Sequence, residues 1–126
     1  MSAKQIDRLM EILLVEDNPG DVRLVAEALK DTKVTGHLSV VPDGIAALDF
    51  LHRRGPHVRA PRPDLILLDL NLPRMSGHDL LKAIKEDPAL RQIPVCVLTS
   101  SQADSDLLKA YDLHANAYLT KPADID

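Results

Sequence analysis

The sequence predicts an α/β protein in which a parallel sheet is covered by helices on both faces. Five short apolar segments recur along the 126 residues, and amphipathic stretches of helical length separate them. Several of the apolar segments lack the polar alternation of a strand that faces water on one side. Strands that alternate with helices are typical of a doubly wound sandwich with right-handed crossovers.

The five predicted strands are short runs rich in Leu, Ile and Val. They are EILLV at 11–15, LSVV at 38–41, LILL at 65–68, IPVCVL at 93–98 and AYL at 117–119. Because unbroken apolar runs are buried on both faces, we expect this sheet to lie in the middle of the domain.

Four helices are predicted between these strands. The first covers 18–30, with Asn18 as its cap and Pro19 in the first turn, where the missing N–H costs nothing. Asp43 is placed to cap the second. The remaining helices are predicted at 44–52, 76–86 and 104–113. The segment 55–63 is rich in Pro and Gly and is predicted to be a surface loop without secondary structure.

Composition and charge exclude several classes of protein. Fifteen basic and 19 acidic residues give a net charge of -4, and the basic residues are taken to be dispersed, so no direct binding to DNA is predicted. The single cysteine, Cys96, excludes an internal disulfide and is expected to be an inert core thiol. No signal peptide and no apolar run of roughly 18 residues is present, so we expect a cytoplasmic protein that does not span a membrane.

Polar residues follow four of the predicted strands at the point where each ends. They are Glu16, Asp17, Asp69, Thr99, Ser100 and Lys121. Because the carboxyl ends of parallel strands meet at one edge, we expect these residues to lie together. Converging carboxylates favour a hard divalent cation such as Mg²⁺ or Mn²⁺, and a lysine opposite them suits a phosphoryl oxygen. The sequence therefore predicts a site for a metal ion and a phosphoryl group.

Five features in the expected order resemble the receiver domain of bacterial two-component response regulators, the CheY-like family. They are VEDN at 15–18, LLDLNLP at 67–73, Gly77 eight residues past Asp69, LTSS at 98–101 and YLTKP at 118–122. The resemblance covers nearly the whole chain and implies a flavodoxin-like sheet with strand order 2-1-3-4-5. The stretches ILLVEDNPGDVRL and APRPDLILLDLNLPR are further similar to small single-domain regulators that serve phytochrome-type histidine kinases.

The resemblance implies the chemistry of the site. Asp69 matches the phosphorylation site, Lys121 the lysine that binds the phosphoryl group, and Thr99 with Ser100 the hydroxyl positions beside it. The implied metal ligands are Asp17 and Asp69 through their side chains, Asn71 through its backbone carbonyl, and Glu16 directly or through a water molecule. Here the first acid is Glu instead of the commoner Asp.

The resemblance also implies how a signal would be produced and how long it would last. Thr99 matches the hydroxyl that moves toward the phosphoryl group, and Tyr118 the aromatic whose rotamer follows. Asn71 and Ser101 occupy positions that tune dephosphorylation. The bond between Lys121 and Pro122 is expected to be cis.

The organisation of the chain is expected to follow the same family. We expect residues 1–126 to be a single receiver domain without an output domain, in which the family's fifth helix is missing at the C-terminus. The implied assembly is a homodimer through the side of the fourth helix and fifth strand. His114 stands where the family usually has Gly, so the local turn is expected to differ.

The main interpretation is a signalling phosphoacceptor, not an enzyme, that receives a phosphoryl group from a histidine kinase. One alternative is a metal-dependent phosphohydrolase with Asp69 as its nucleophile, although Asn71 stands where a second acid would protonate a leaving alcohol. Another is a receiver-like interaction module that is never phosphorylated, against which the intact acids, Thr99 and Lys121 argue. The sequence names neither the kinase nor the downstream protein.

Overall fold

The chain forms a five-stranded parallel sheet. The computed structural model describes residues 9–30, 36–69, 72–99 and 117–120, with Thr99 and 117–120 described by their backbone alone. The strands are β1 (Met10–Val15), β2 (Gly36–Val41), β3 (Leu65–Asp69), β4 (Val95–Thr99) and β5 (Ala117–Thr120). They pair in parallel in the order β2-β1-β3-β4-β5. The predicted fold class and strand order are confirmed.

Three α-helices lie between the first four strands. They are α1 (Pro19–Lys30), α2 (Gly44–Leu51) and α3 (Gly77–Glu86). The helix predicted at 104–113 lies outside the described residues. Among the described residues, no helix combines the length and the apolar character that crossing a bilayer requires.

Side-chain caps fix where the helices begin. Asn18 Oδ1 accepts hydrogen bonds from the backbone N–H groups of Gly20 (2.8 Å) and Asp21 (3.1 Å), and Asp43 Oδ1 accepts one from Ala46 (2.8 Å). These contacts satisfy N–H groups that have no partner within a helix, so both predicted caps are confirmed. Ser76 was predicted as the first helical residue and is instead the cap of α3, accepting from Asp79 N at 3.1 Å.

One predicted strand boundary and one predicted loop are wrong for local reasons. The strand predicted from 93 begins at Val95, because Ile93 N donates to Leu90 O in a turn and Pro94 has no N–H to contribute to the sheet. The segment 55–63 contains a short 3₁₀ helix, Gly55–His57, with Pro56 in its first turn. Proline fixes φ near the helical value, so a residue taken as a breaker starts this element.

The apolar core has two layers because alternate residues of a strand point to opposite faces. On one face, Leu13, Ile66 and Val97 pack with α2 and α3 through a buried set that includes Ala47, Phe50, Leu80, Leu81 and Ile84. On the other face, Leu14, Leu67 and Leu98 pack with Val25 of α1. The predicted burial of the sheet between helices is confirmed.

Asp43 provides a test of what holds α2 in place, because it both caps the helix and lies 3.3 Å from Nη1 of Arg74. Asp43→Ala removes both contacts and should lower the free energy of unfolding by about 1–2 kcal/mol. Asn retains the cap, and Arg74 is well exposed, so Asp43→Asn should lose roughly half as much or less. Urea unfolding followed by circular dichroism measures both. Equal losses would mean that the ion pair, and not the cap, dominates.

Candidate functional site

Three carboxylates meet at the carboxyl edge of the sheet. Glu16 and Asp17 follow β1 directly, and Asp69 is the last residue of β3. Val15 pairs with Leu68 across these adjacent strands, so the residues that come next reach the same rim. One carboxylate oxygen from each of Glu16, Asp17 and Asp69 lies within 4.8 Å of the other two. The predicted convergence of these three carboxylates is therefore present.

Burial differs within this acidic cluster of Glu16, Asp17 and Asp69. Glu16 and Asp69 are each only 2% exposed, whereas Asp17 is exposed. Glu16 is held by its own backbone N–H, which donates to Val41 O at 3.0 Å, and by its Oε2, which accepts from Asn18 N at 3.3 Å. Two acids are thus fixed on the protein side, and the third faces solvent, where an ion would enter.

The donor set of the cluster fits a hard divalent cation. Two carboxylate charges 4.8 Å apart repel by about 3.5 kcal/mol at an effective dielectric constant near 20, and burial prevents water from screening Glu16 and Asp69 fully. A doubly charged ion between them reverses the sign of that interaction. All the ligand atoms are oxygen, which suits Mg²⁺ or Mn²⁺ and not a metal that prefers sulfur or imidazole.

The loop that follows Asp69 is attached to the start of α2. Nη1 of Arg74 lies 3.3 Å from Oδ2 of Asp43, whose side chain is 6% exposed. A Cβ on Gly44 would approach the Cβ of Met75 to 2.8 Å, so glycine is required for α2 and this loop to lie so close. Arg74 adopts φ of +66°, an unfavourable value for a non-glycine residue, which its contact with Asp43 helps to hold. The sequence pointed to Asp43 only as a cap and gave no signal for Arg74.

The remaining predicted site residues are described in part or not at all. The backbone of Thr99 ends β4 and pairs with Thr120 of β5, next to the pairing of Asp69 with Leu98, so it lies at the same edge as the acidic cluster. The side chains of Thr99 and Tyr118 lie outside the described residues. So do Asn71, Ser100, Ser101, His114, Lys121 and the bond to Pro122, and their roles stay predictions.

Among the described residues, Cys96 and the histidines are not members of the acidic cluster. Cys96 is buried in β4, and desolvation raises the pKa of its thiol, which disfavours the reactive thiolate and agrees with an inert core residue. His37 Nδ1 lies 3.1 Å from a carboxylate oxygen of Glu11, and His52 Nε2 lies 3.0 Å from one of Asp87. Both are local pairs at the protein surface.

Comparison with known proteins identifies the family of this chain. The response regulator receiver domain family matches residues 12–126. The chain belongs to that family. It is 50% identical over 110 residues to the response regulator Rcp1 of Synechocystis, covering 87% of this chain and 75% of that protein. It is 46% identical to the probable methanogenesis regulatory protein FilR2 of Methanothrix harundinacea, covering 88% of this chain and 71% of that protein.

Solved structures of receivers have the same fold. The Mn²⁺-bound form of Rcp1 superposes with a TM-score of 0.83 at 47% identity, covering 92% of this chain and 84% of that one. The phosphorylated cyanobacterial phytochrome response regulator RcpA gives a TM-score of 0.84 at 47% identity, covering 93% and 84%.

The exposed member of the cluster provides a test of metal binding. Asp17→Asn should weaken Mn²⁺ binding by at least about tenfold, because a ligand charge is lost while the two buried acids remain in place. Electron paramagnetic resonance of free Mn²⁺ measures the affinity. Asp21→Asn in α1 is the control, since it removes the same charge a turn away and should change the affinity far less. Equal weakening in both variants would indicate general electrostatic attraction without a defined site.

Proposed function

We propose that this receiver is a phosphoacceptor that takes a phosphoryl group from the phosphohistidine of a histidine kinase onto Asp69. The observation that carries the proposal is the placement of Asp69 at the end of a buried strand, within 4.8 Å of the carboxylates of Glu16 and Asp17. Membership of the receiver family, and a phosphorylated structure among its relatives, support it.

In the proposed reaction, an oxygen of Asp69 attacks the phosphorus atom in line, a P–O bond forms, and the bond between phosphorus and the imidazole nitrogen breaks. Asp69 is presented by β3, whose Ile66 and Leu68 are fully buried, so the nucleophile sits on a rigid support. The proposed contacts to the phosphoryl oxygens come from Lys121 and from the hydroxyls of Thr99 and Ser100. No separate substrate is turned over, so the protein is a signalling component that undergoes only its own phosphorylation and dephosphorylation.

Mg²⁺ is the proposed cofactor, and Mn²⁺ would serve in its place. Glu16, Asp17, Asp69 and the backbone carbonyl of Asn71 would hold it. When bound, it neutralises charge on the acids and on the phosphoryl oxygens. Glu16 is already held by Asn18 N and Val41 O, so this acid is positioned before the ion arrives.

The proposed partner is a phytochrome-type histidine kinase. One relative of similar fold is a cyanobacterial phytochrome response regulator and others are bacteriophytochrome response regulators, at 42–47% identity. The proposal places the protein in the cytoplasm, where kinases of this class obtain ATP. It also includes a homodimer through the side formed by the predicted helix at 104–113 and β5, and tuning of dephosphorylation by Asn71 and Ser101.

Phosphorylation is tested by incubating the protein with acetyl phosphate, with and without Mg²⁺, and measuring its intact mass. One phosphoryl group should be added only in the presence of the ion, because repulsion from the acids otherwise opposes the incoming anion. The added mass should disappear in Asp69→Asn and persist in Asp79→Asn, a matched change at an exposed acid in the first turn of α3. Label that persists in Asp69→Asn would contradict the assignment of the phosphoacceptor.

The proposed switch of Thr99 and Tyr118 is tested separately from the chemistry. Thr99→Ala should still be phosphorylated but should not show the change in molar mass, measured by light scattering, that phosphorylation produces in the parent protein. Thr99→Ser retains the hydroxyl and should respond like the parent. A Thr99→Ala variant that responds fully would rule out coupling through this hydroxyl.

A further inference from the structure

The connection between α2 and β3 concentrates positive charge on a protein of net charge -4. Four of the chain's eight arginines lie between 53 and 62, together with two histidines between 52 and 57, and no acidic residue occurs between 50 and 63. The prediction that the basic residues are dispersed along the chain is wrong for this segment. We call residues 52–62 the basic loop.

The basic loop has a defined shape. Two backbone hydrogen bonds close it internally, from His57 N to Arg54 O (3.0 Å) and from Ala60 N to His57 O (2.9 Å), and a third ties it to α2, from Arg54 N to Asp49 O (2.8 Å). The ring of His57 packs against Phe50 with centroids 5.4 Å apart. Prolines at 56, 61 and 63 restrict the backbone further. A surface that is ordered before a partner arrives loses less entropy on binding.

The basic loop forms one side of a groove of about 490 Å³, a size typical of ligand-binding clefts. Leu51 is partly exposed and contributes apolar surface, whereas Leu90 belongs to the buried core beneath the surface, and Arg53 and Arg62 contribute positive charge. Arg62 is oriented by a 2.8 Å hydrogen bond from Nη1 to Ala89 O. The pair of His52 and Asp87 also lines the groove. The lining thus combines apolar contacts with two guanidinium groups and one carboxylate, Asp87, which is paired with His52.

Charge pairing within the protein leaves part of the basic loop available to a partner. Arg54 is engaged by Asp49, with 3.3 Å between Nε and Oδ1. Within the part of the chain that the structure describes, Arg53 and Arg59 form no ion pair, and both are exposed. All four basic groups with long side chains are arginines, whose planar guanidinium matches the geometry of a carboxylate in two parallel hydrogen bonds.

The groove lies at the opposite edge of the sheet from the acidic cluster. The basic loop precedes β3, and Asp87, Ala89 and Leu90 precede β4, whereas Asp69 ends β3. A strand of five residues separates the two edges by about 13 Å. A molecule bound in the groove would therefore leave Asp69 accessible to a kinase.

We propose that this groove docks an extended acidic segment of a partner protein, with carboxylates on Arg53 and Arg62 and an apolar side chain on Leu51. This docking does not depend on phosphorylation of Asp69. A concave surface with an apolar floor fits a peptide better than a flat lipid headgroup layer. The basic loop carries no Phe, Tyr or Trp on which single-stranded bases would stack.

The test uses a fluorescein-labelled peptide in which Glu alternates with Leu, and a matched peptide with Gln in place of Glu. Fluorescence anisotropy should show saturable binding of the acidic peptide that weakens as salt is raised, and no binding of the Gln peptide. Arg53→Gln should weaken binding about tenfold, the loss expected for one charged hydrogen-bonded contact. Arg23→Gln removes the same charge from an exposed site on α1 and should leave binding unchanged.

Arg62→Gln is the second variant and should also weaken binding of the acidic peptide. A melting curve shows whether the fold stays intact when the bond to Ala89 O is lost. Labelling by acetyl phosphate should proceed normally in Arg53→Gln, which separates this proposal from the proposed phosphorylation chemistry. The proposal is overturned if the acidic peptide does not bind, or if Arg23→Gln weakens binding as much as Arg53→Gln. It is also overturned if vesicles containing phosphatidylserine, or duplex DNA, bind through Arg53 while the peptide does not.

Discussion

The register between β1 and β3 is the constraint on which the site depends. Val15 lies opposite Leu68, so Glu16 and Asp69 emerge side by side from the same edge of the sheet. A shift of one residue in either strand would reverse which face each side chain occupies, sending Leu13 and Ile66 out of one layer of the core. The packing that fixes the register therefore also fixes the distances among the carboxylates. Because both layers of the core contribute, no single helix holds the site alone.

The acidic cluster shows how apolar burial sustains an arrangement that electrostatics opposes. Glu16 and Asp69 are nearly inaccessible to water, and each follows residues that are completely buried, Val15 and Leu68 respectively. Burying neighbouring carboxylates without a cation is unfavourable, but moving either away would require displacing a central strand. The apolar segment LILL thus has a mechanical role. It keeps Asp69 close to two other carboxylates, an arrangement that is unfavourable for its charge alone and that suits a divalent ion.

The structural elements that were predicted best from the sequence are those that depend on burial of apolar residues. The central strands and the alternation of elements followed from apolar runs, and Asn18 and Asp43 were recognisable as caps because their local chemistry is specific. The start of β2 was missed because Gly36 and His37 lie exposed on an edge strand, where no apolar signal is needed. The positive φ of Arg74 and the close approach of Gly44 to Met75 arise from contacts between separate segments, which a linear pattern does not record. The basic loop was visible in the sequence, but the negative net charge of the whole chain concealed this local concentration of arginines.

The two edges of the sheet are electrostatically distinct, and the distance between them limits how they communicate. At physiological ionic strength the Debye length is about 8 Å, shorter than the roughly 13 Å spanned by a five-residue strand. Charges bound at the basic loop therefore act only weakly on the acids around Asp69 through solvent. Any coupling between the edges has to pass through the packed layer formed by α2, α3 and β3, where Phe50, Leu81 and Ile66 belong to one buried cluster. Close-packed interiors have low compressibility and transmit strain, so this layer is the route by which a displacement at the basic loop would reach the carboxyl edge. The two edges are therefore separated electrostatically but are linked mechanically, through the same core that fixes the distances among the carboxylates.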